Sequence, residues 1–200
     1  MPDFENYDAL IFDMDGTLVD SVGPNLEAWR LTCEKYGYPW DEAYMDSLGG
    51  VPTVATVECM NQNYGMSLDA YEVGDYKETL FMSMDVSSQV FPLTYQIMRD
   101  FALHKPVAIG TGASRLHAEK ILLELDVLPH LTALVTATDV VHGKPAGDTF
   151  VLAAKQVSVD PSRCLVFEDT PTGINAARAA QMDCQRCYRG ALKEFIPFIK

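Results

Sequence analysis

The stretch Asp13-Met14-Asp15-Gly16-Thr17 directly follows the apolar run Ala9-Leu10-Ile11-Phe12. An apolar run of this length predicts a buried strand of a parallel sheet. Side chains two positions apart on an extended chain point to the same side, so both carboxylates should face one crevice at the carboxyl end of the strand. Gly16 then lets the backbone turn away without placing a side chain in that crevice. The stretch therefore predicts an α/β fold with two acids at one edge of the sheet.

A calcium-binding loop is the alternative interpretation of this stretch, because such loops also combine carboxylates with glycine. A loop of that kind ends with a Glu at its twelfth position. Counted from Asp13, the twelfth position is Pro24, which offers no ligand atom on its side chain. We therefore exclude a calcium loop.

The composition limits the classes of partner. A chain of 200 residues suffices for one core with a small inserted module. The net charge of −13 argues against nucleic acid and anionic membranes as partners, and no apolar stretch is long enough to span a bilayer. The N-terminus shows no basic segment followed by an apolar one, so no secretory signal is expected. We expect a small-molecule partner, and the sequence leaves monomer and dimer open.

The five cysteines indicate a reducing compartment. An odd number of thiols without a secretory signal predicts free thiols and a cytoplasmic location. Cys184 and Cys187 have the spacing of a redox or metal-binding pair. Since neither a second pair nor a suitably placed histidine accompanies them, we interpret them as two incidental strand cysteines.

A long helical region separates the first strand from the rest of the chain. Helical patterns follow one another there, and Ser67 is the predicted N-cap of a helix over 68–85. A region of roughly sixty residues is far longer than a strand crossover needs, so it predicts an inserted cap. The expected boundaries are 1–20 and 88–200 for the core, 21–87 for the cap, and 19–24 and 86–91 for the hinges.

Strands and helices alternate after the cap. Strand patterns lie at 106–111, 131–137, 163–168 and 183–188, with helices between them and a terminal helix from about residue 190. Alternation of this kind predicts parallel strands with helices on both faces. The expected fold class is α/β, a Rossmann-like doubly wound parallel sheet core with an inserted helical cap.

Polar residues follow three of the later core strands. Thr111 begins a turn of small and hydroxyl residues before a helix, a position where backbone N–H groups bind anions. Lys144 follows the third strand, and Glu168 and Asp169 follow the fourth. Taken singly, these residues have structural explanations as helix caps or as a solvated lysine. Because parallel strands end at one edge of a sheet, together they predict a phosphate site with a metal.

The four motifs resemble those of the haloacid dehalogenase-like superfamily, most of whose members are Mg²⁺-dependent phosphatases. The motifs are Asp13-Met14-Asp15-Gly16-Thr17, Thr111, Lys144 and Glu168-Asp169. The run 166–177 is typical of the capped subgroup that contains β-phosphoglucomutases and sugar-phosphate phosphatases, and the likeness is greatest to fructose-1-phosphate phosphatase-like proteins. The resemblance implies an enzyme that hydrolyses small phosphorylated sugars with Mg²⁺ as its cofactor.

The resemblance also implies a role for each acid. Asp13 is the expected nucleophile, which forms an aspartyl-phosphate, and Asp15 is the expected general acid and base. Mg²⁺ is expected on Asp13, Asp169 and the backbone carbonyl of Asp15. Glu168 is expected to hold a metal-bound water or to orient the metal ligands.

Further groups are implied for charge compensation and for substrate binding. Lys144 is expected to neutralise the phosphoryl oxygens and Asp13, and Thr111 to hold the transferring oxygens. Lys77 is a substrate-binding candidate by its likeness to lysines of related sugar phosphatases, with a solvated helix lysine as the alternative. The other candidates for substrate binding are Thr17, Gly112, Ser114, Arg115 and, in the cap, Asn25.

Four alternatives share this fold. A β-phosphoglucomutase-type mutase must hold a second phosphate, and this chain has Asn25 and Thr53 where such mutases carry a His and an Arg. A dehalogenase needs neither a second aspartate nor Mg²⁺, and a phosphonatase requires a cap lysine that forms a Schiff base. A non-catalytic protein that binds a phosphorylated metabolite is the last alternative. Every expected catalytic position is present, which favours the phosphatase.

Overall fold

The computed structural model describes residues 3–84 and 89–199, and their strands form one sheet. The strands are β1 (Ala9–Phe12), β2 (Val107–Gly110), β3 (Ala133–Val135), β4 (Cys164–Glu168), β5 (Asp183–Tyr188) and β6 (Ala191–Ile196). Their order across the sheet is β3-β2-β1-β4-β5-β6, and all neighbours are parallel except β5 and β6. The predicted α/β fold class with a mostly parallel sheet is confirmed.

Strand β1 lies in the middle of the sheet, between β2 and β4. The chain builds the sheet outward from β1 in one direction through β2 and β3, and then crosses over to β4 on the other side. In open α/β sheets a crevice opens where the strand order reverses in this way. The backbone N–H of Asp13 donates to the carbonyl of Phe167 at 2.9 Å, which fixes the ends of β1 and β4 side by side at that crevice.

The apolar run of β1 is buried on both faces because helices cover both sides of the sheet. Leu10 and Phe12 join one core cluster, whereas Ala9 and Ile11 join the other. Helices α5 (Pro92–Ala102) and α6 (Arg115–Glu124) supply side chains to the first cluster, and α7 (Asp148–Gln156) and α8 (Pro171–Ala179) supply the second. This double coverage explains why β1 shows no polar alternation.

Four helices lie between β1 and α5 and have an apolar cluster of their own. They are α1 (Val22–Tyr36), α2 (Glu42–Ser47), α3 (Thr53–Tyr64) and α4 (Ala70–Ser83). Trp29, Val57 and Met60 are among the buried members of this third cluster. A separate core supports the proposed division into cap and core. Part of the boundary and of the expected hinge at 86–91 lies outside the described residues.

The predicted terminal helix from residue 190 is wrong, since the chain forms strand β6 there. Arg189 and Gly190 have φ of 47° and 67°, and Tyr188 pairs with Ala191 across them. Two successive residues with positive φ form the tight turn that suits an antiparallel hairpin. The chain therefore returns along β5 as an edge strand.

The N-cap of α4 also differs from the prediction. The carboxylate of Asp69 accepts hydrogen bonds from the backbone N–H groups of Tyr71 and Glu72, at 2.9 and 3.2 Å. An acidic side chain at this position satisfies N–H groups that have no partner within the helix. The helix consequently begins at Ala70, not after Ser67.

All five cysteines are free thiols. Cys184 and Cys187 pack into the clusters on opposite faces of the sheet, because positions three apart in a strand point to opposite sides. Burial raises the pKa of both thiols above the ordinary value. They therefore contribute to packing, as the interpretation of incidental strand cysteines predicted. Within the described residues, no helix combines the length and apolar character needed to cross a membrane.

Candidate active site

Asp13 and Lys144 form a buried ion pair at the carboxyl end of β1. Lys144 Nζ lies 2.5 Å from Asp13 Oδ1 and 2.8 Å from Glu168 Oε1. Burial alone would lower the pKa of Lys144, but the two carboxylates outweigh it and hold this pKa above its ordinary value. The ammonium group, 4.7 Å from the centre of the Phe150 ring, is thus kept charged beneath the crevice.

Glu168 is fixed by contacts on both of its oxygens. Oε1 accepts from Lys144, and Oε2 accepts from the backbone N–H of Thr170 at 2.7 Å and its hydroxyl at 3.0 Å. Thr170 also caps α8, since its hydroxyl accepts from the N–H of Gly173. Gly173 lies so close that a Cβ there would come within 1.7 Å of Glu168 Oε1. The carboxylate is therefore positioned by the first turn of α8.

The Gly173→Ala substitution is expected to destabilise the protein by about 3 kcal/mol, because the added methyl overlaps a fixed carboxylate. Urea unfolding followed by circular dichroism measures the loss. Gly23→Ala is the matched control, since a Cβ at this other helical glycine meets no atom within 4 Å. That control should change the free energy of unfolding by no more than about 1 kcal/mol. Equal effects of the two substitutions would contradict the predicted overlap.

Asp169 completes a cluster of three carboxylates. One oxygen each from Asp13, Glu168 and Asp169 lies within 4.8 Å of the others. Burial, followed by the charge of Glu168, raises the pKa of Asp169 to about 7, although the hydroxyl of Thr17 donates to it at 3.0 Å. Burial also raises the pKa of Asp13, against the opposing effect of Lys144. The cluster holds more acid than one lysine balances.

This excess of acid fits a hard divalent cation. Carboxylate oxygens are the ligands that Mg²⁺ prefers, and a cation among them would stabilise the negative charge that burial makes costly. The donor set therefore agrees with the Mg²⁺ that the motifs imply. Thr17 has its hydroxyl on Asp169, so it orients that carboxylate and does not line the cleft.

Asp15 lies at the edge of the cleft, and its side chain is 23% exposed. The hydroxyl of Ser21 donates to Asp15 Oδ1. His117 Nε2 approaches the same oxygen at 3.9 Å, which is too long for a hydrogen bond. Asp15 is thus held in place but remains open to a bound molecule.

The turn after β2 lies close to these acids. Thr111 and Gly112 line the cleft with Asp13. The hydroxyl of Thr111 accepts from the N–H of Ala113 at 3.0 Å, which sets the shape of the turn. Ser114 caps α6, and its hydroxyl accepts from the N–H of His117 at 3.3 Å. The turn therefore presents its backbone to the cleft at a helix N-terminus.

Arg115 does not join the site, contrary to the prediction. Its guanidinium group is 2.6 Å from Asp139 Oδ2 and 3.1 Å from Glu119 Oε1, and it also donates to the carbonyl of Leu134. These partners lie along α6, in β3 and beyond β3. As the first residue of α6, Arg115 follows the turn onto the outer side of the helix.

The cap closes over the turn after β2. Gly112 lies under the carbonyl of Gly50, and a Cβ on Gly112 would come within 2.4 Å of that oxygen. Asn25, Trp29, Thr53 and Lys77 also line the cleft from the cap side. The empty space of the cleft, including the part that is open to solvent, is about 490 Å³.

Two residues that line the cleft, Glu78 and His117, were not predicted from the sequence. Glu78 lies on α4 beside the predicted candidate Lys77, whereas His117 lies in the first turn of α6. Their side chains meet across the boundary of cap and core, with His117 Nδ1 3.7 Å from Glu78 Oε2. Neither motif nor periodicity signals a contact between residues 39 positions apart in helices of different units.

Comparisons with known proteins agree with this geometry. A sequence model of the haloacid dehalogenase-like hydrolase family matches residues 7–181. The chain is 38% identical over 181 residues to the fructose-1-phosphate phosphatase YqaB of Escherichia coli, covering 90% of this chain and 96% of that one. It is 34% identical over 182 residues to the validoxylamine A 7'-phosphate phosphatase of Streptomyces hygroscopicus subsp. limoneus, covering 89% and 84%.

Solved structures agree on the fold. The β-phosphoglucomutase of Clostridium difficile matches with a TM-score of 0.79 at 22% identity, covering 89% of this chain and 83% of that one. The family model and the two relatives together span nearly all of the described core and cap. The resemblance inferred from the four motifs is confirmed, and the chain belongs to the haloacid dehalogenase-like hydrolase family.

Proposed function

We propose that this hydrolase is a Mg²⁺-dependent phosphatase of small phosphorylated sugars, with Asp13 as its nucleophile. The observation that carries the proposal is the buried contact of 2.5 Å between Asp13 and Lys144 at the floor of the cleft. An anionic nucleophile can approach an anionic phosphoryl group only where fixed cations offset the repulsion. The names of the two phosphatase relatives support the same activity.

The first half of the proposed reaction transfers the phosphoryl group to the enzyme. A carboxylate oxygen of Asp13 forms a bond to phosphorus as the bond to the sugar oxygen breaks. Asp15 donates a proton to that oxygen, and the sugar leaves as an alcohol. Lys144 and the backbone N–H groups around Gly112 stabilise the charge on the transferring oxygens.

The second half returns Asp13 to its free state. Asp15 is now ionised and accepts a proton from a water molecule, whose oxygen attacks phosphorus. The bond between phosphorus and Asp13 breaks, and inorganic phosphate leaves. The cap excludes other water from the cleft during the first transfer, which favours Asp13 over water as the phosphoryl acceptor.

We propose that Asp13, Asp169 and the backbone carbonyl of Asp15 hold Mg²⁺, with Glu168 orienting the other ligands. The cation supplies charge neutralisation between Asp13 and the phosphoryl oxygens. Glu168 suits the orienting role because Lys144 and Thr170 already occupy its two oxygens.

Asp169→Asn is expected to raise the melting temperature of the metal-free protein by a few degrees at pH 8. The pKa of Asp169 is about 7 in the folded chain against an ordinary 3.8, so the folded state retains the proton that the unfolded state loses. Its contribution to stability therefore falls as pH rises from about 4 to about 7. At pH 8 the amide removes a carboxylate that repels its neighbours.

Thermal unfolding with EDTA and with MgCl₂ measures this effect. Mg²⁺ should raise the melting temperature of the wild type and leave that of Asp169→Asn nearly unchanged. The same scans at pH 4 serve as the control, since Asp169 in the folded wild type, with its pKa of about 7, is protonated there and neutral like the amide. If Mg²⁺ raises the melting temperature of Asp169→Asn as much as that of the wild type, Asp169 is not a ligand of the metal.

Phosphate release from a panel of sugar monophosphates tests the function as a whole. The wild type should hydrolyse members of the panel in MgCl₂ and lose that activity in EDTA. A bisphosphate-primed assay for isomerised sugar phosphate tests the mutase alternative in parallel. Folded protein that releases no phosphate from any member with Mg²⁺ present would overturn the proposal. We also propose a cytoplasmic location, which the free cysteines support.

A further inference from the structure

The cap wall of the cleft carries a fixed negative charge at Glu78. Its carboxylate accepts from the hydroxyls of Thr53 at 2.8 Å and Ser114 at 3.2 Å. Burial alone would raise the pKa of Glu78, but the interactions with His117, Lys77 and Thr53 outweigh it and hold the pKa well below its ordinary value. Glu78 is therefore ionised at neutral pH.

Lys77 does not offer a ligand an unpaired positive charge, because its ammonium group is already paired with Glu78. Its ammonium group is 3.3 Å from Glu78 Oε1 and lies above the rings of Trp29 and Phe81, at 5.4 and 5.3 Å from their centres. The side chain is 3% exposed. Among the described residues that line the cleft, Lys77 is the one Lys or Arg. A second phosphate at the cap end would meet an anion there and a lysine already paired.

Two polar side chains on the cleft have buried atoms without hydrogen-bond partners. They are both ring nitrogens of His117 and the side-chain oxygen of Asn25. The imidazole is 2% exposed and stacks on Phe81 with ring centres 4.1 Å apart, so it cannot turn to solvent. Buried polar atoms of this kind normally have partners, which points to groups brought by a ligand.

The position of His117 indicates which part of a ligand it meets. Its two nitrogens lie 3.9 Å from Asp15 and 3.7 Å from Glu78. Asp15 marks the place where the proposed reaction protonates the leaving oxygen. The imidazole therefore runs alongside the leaving group, from the scissile bond toward the cap wall.

We propose that the cleft selects phosphate monoesters of neutral polyols, whose hydroxyls bind His117, Asn25 and Glu78, and that Glu78 excludes substrates with a second phosphate. This inference rests on the proposed function, because it takes Asp13 as the site of the transferred phosphate. Hydroxyls can both donate and accept, which suits an acceptor carboxylate, an amide oxygen and an imidazole together. Like charges facing each other in a partly buried cleft repel strongly.

Binding to the Asp13→Asn protein tests the inference without turnover. Calorimetry with Mg²⁺ compares fructose 1-phosphate with fructose 1,6-bisphosphate, first with Glu78 intact and then with Glu78→Gln added. We expect the preference for the monophosphate to fall about tenfold in Glu78→Gln, as removal of one charge near a phosphate predicts. Asp75→Asn is the matched control, because Asp75 is an exposed acid on the same helix. It should leave the preference unchanged.

His117→Phe tests the hydroxyl contacts separately. The new ring keeps the stacking on Phe81 and removes both nitrogens. The affinity for fructose 1-phosphate relative to inorganic phosphate should fall about fivefold, the effect of losing one or two hydrogen bonds. An unchanged ratio in this variant would overturn the hydroxyl contact.

The outcomes separate this inference from the proposed function. An unchanged preference in Glu78→Gln overturns the charge selection, even if the wild type releases phosphate. A reduced preference upholds the selection, even if the wild type hydrolyses none of the panel and the phosphatase proposal fails. If Asp13→Asn does not fold, the same preference can be measured in protein that retains Asp13. The measurement is then the ratio of kcat/KM for fructose 1-phosphate to kcat/KM for fructose 1,6-bisphosphate.

Discussion

Asp13→Asn is expected to lower kcat for phosphate release by at least about four orders of magnitude, as loss of a nucleophile does in enzymes of this kind. The amide cannot form the covalent bond to phosphorus. It also cannot accept the hydrogen bond from Lys144 as an anion, although the shape of the side chain is kept. Initial rates of phosphate release with the best sugar of the panel, in saturating Mg²⁺, measure the loss.

Two further measurements make this result specific. Urea unfolding of Asp13→Asn should show a folded protein, since the substitution removes a buried acid whose pKa burial has raised. Asp75→Asn changes an exposed acid of the cap and should retain wild-type kcat. Phosphate release by Asp13→Asn above about one hundredth of the wild-type rate would contradict a covalent role for Asp13.

Lys144→Met is expected to destabilise the protein by about 3–5 kcal/mol at pH 8, the cost of leaving buried charges without their partner. Asp13 and Glu168 would lose the one ammonium group that contacts both of them in the described structure. Methionine has a similar length, so the loss reports charge and not an empty space. Urea unfolding of metal-free protein measures the difference in free energy.

The pH dependence separates the charge effect from packing. Without the lysine, the buried carboxyls take up protons as the pH falls, and the deficit of Lys144→Met should shrink between pH 8 and pH 5. Lys155→Met changes an exposed lysine of α7 and should alter the free energy by less than about 0.5 kcal/mol at either pH. A deficit that stays constant with pH would assign the effect to packing.

The strand and its acids could be predicted from the sequence because their signals are local. The run Ala9–Phe12 identifies a strand covered on both faces, and the polar residues after it follow at fixed spacing. Helix α5 likewise begins at Pro92, a residue that suits the first turn of a helix. Where two nearby residues both suited the N-cap of a helix, the prediction chose the wrong one. Ser67 and Asp69 both suit an N-cap, and only the backbone shows that Asp69 takes that place.

The remaining errors come from interactions between distant segments. The tail after residue 190 has helix-forming residues, but pairing with β5 overrides that local preference. Arg115 follows the turn that we propose to bind phosphate, and its partners Asp139 and Glu119 draw it away. Glu78 and His117 become neighbours only when the cap lies on the core. Such contacts depend on tertiary structure, which no local pattern encodes.

The hairpin that replaces the expected terminal helix also decides how the sheet ends. An exposed strand edge is a template for pairing between molecules, and proteins protect such edges with charges or by keeping them short. The edge strand β6 carries the exposed charged residues Lys193 and Glu194, and the opposite edge strand, β3, has 3 residues. Both ends of the sheet are thus poorly suited to recruit another chain, which protects the folded protein against aggregation through β-pairing.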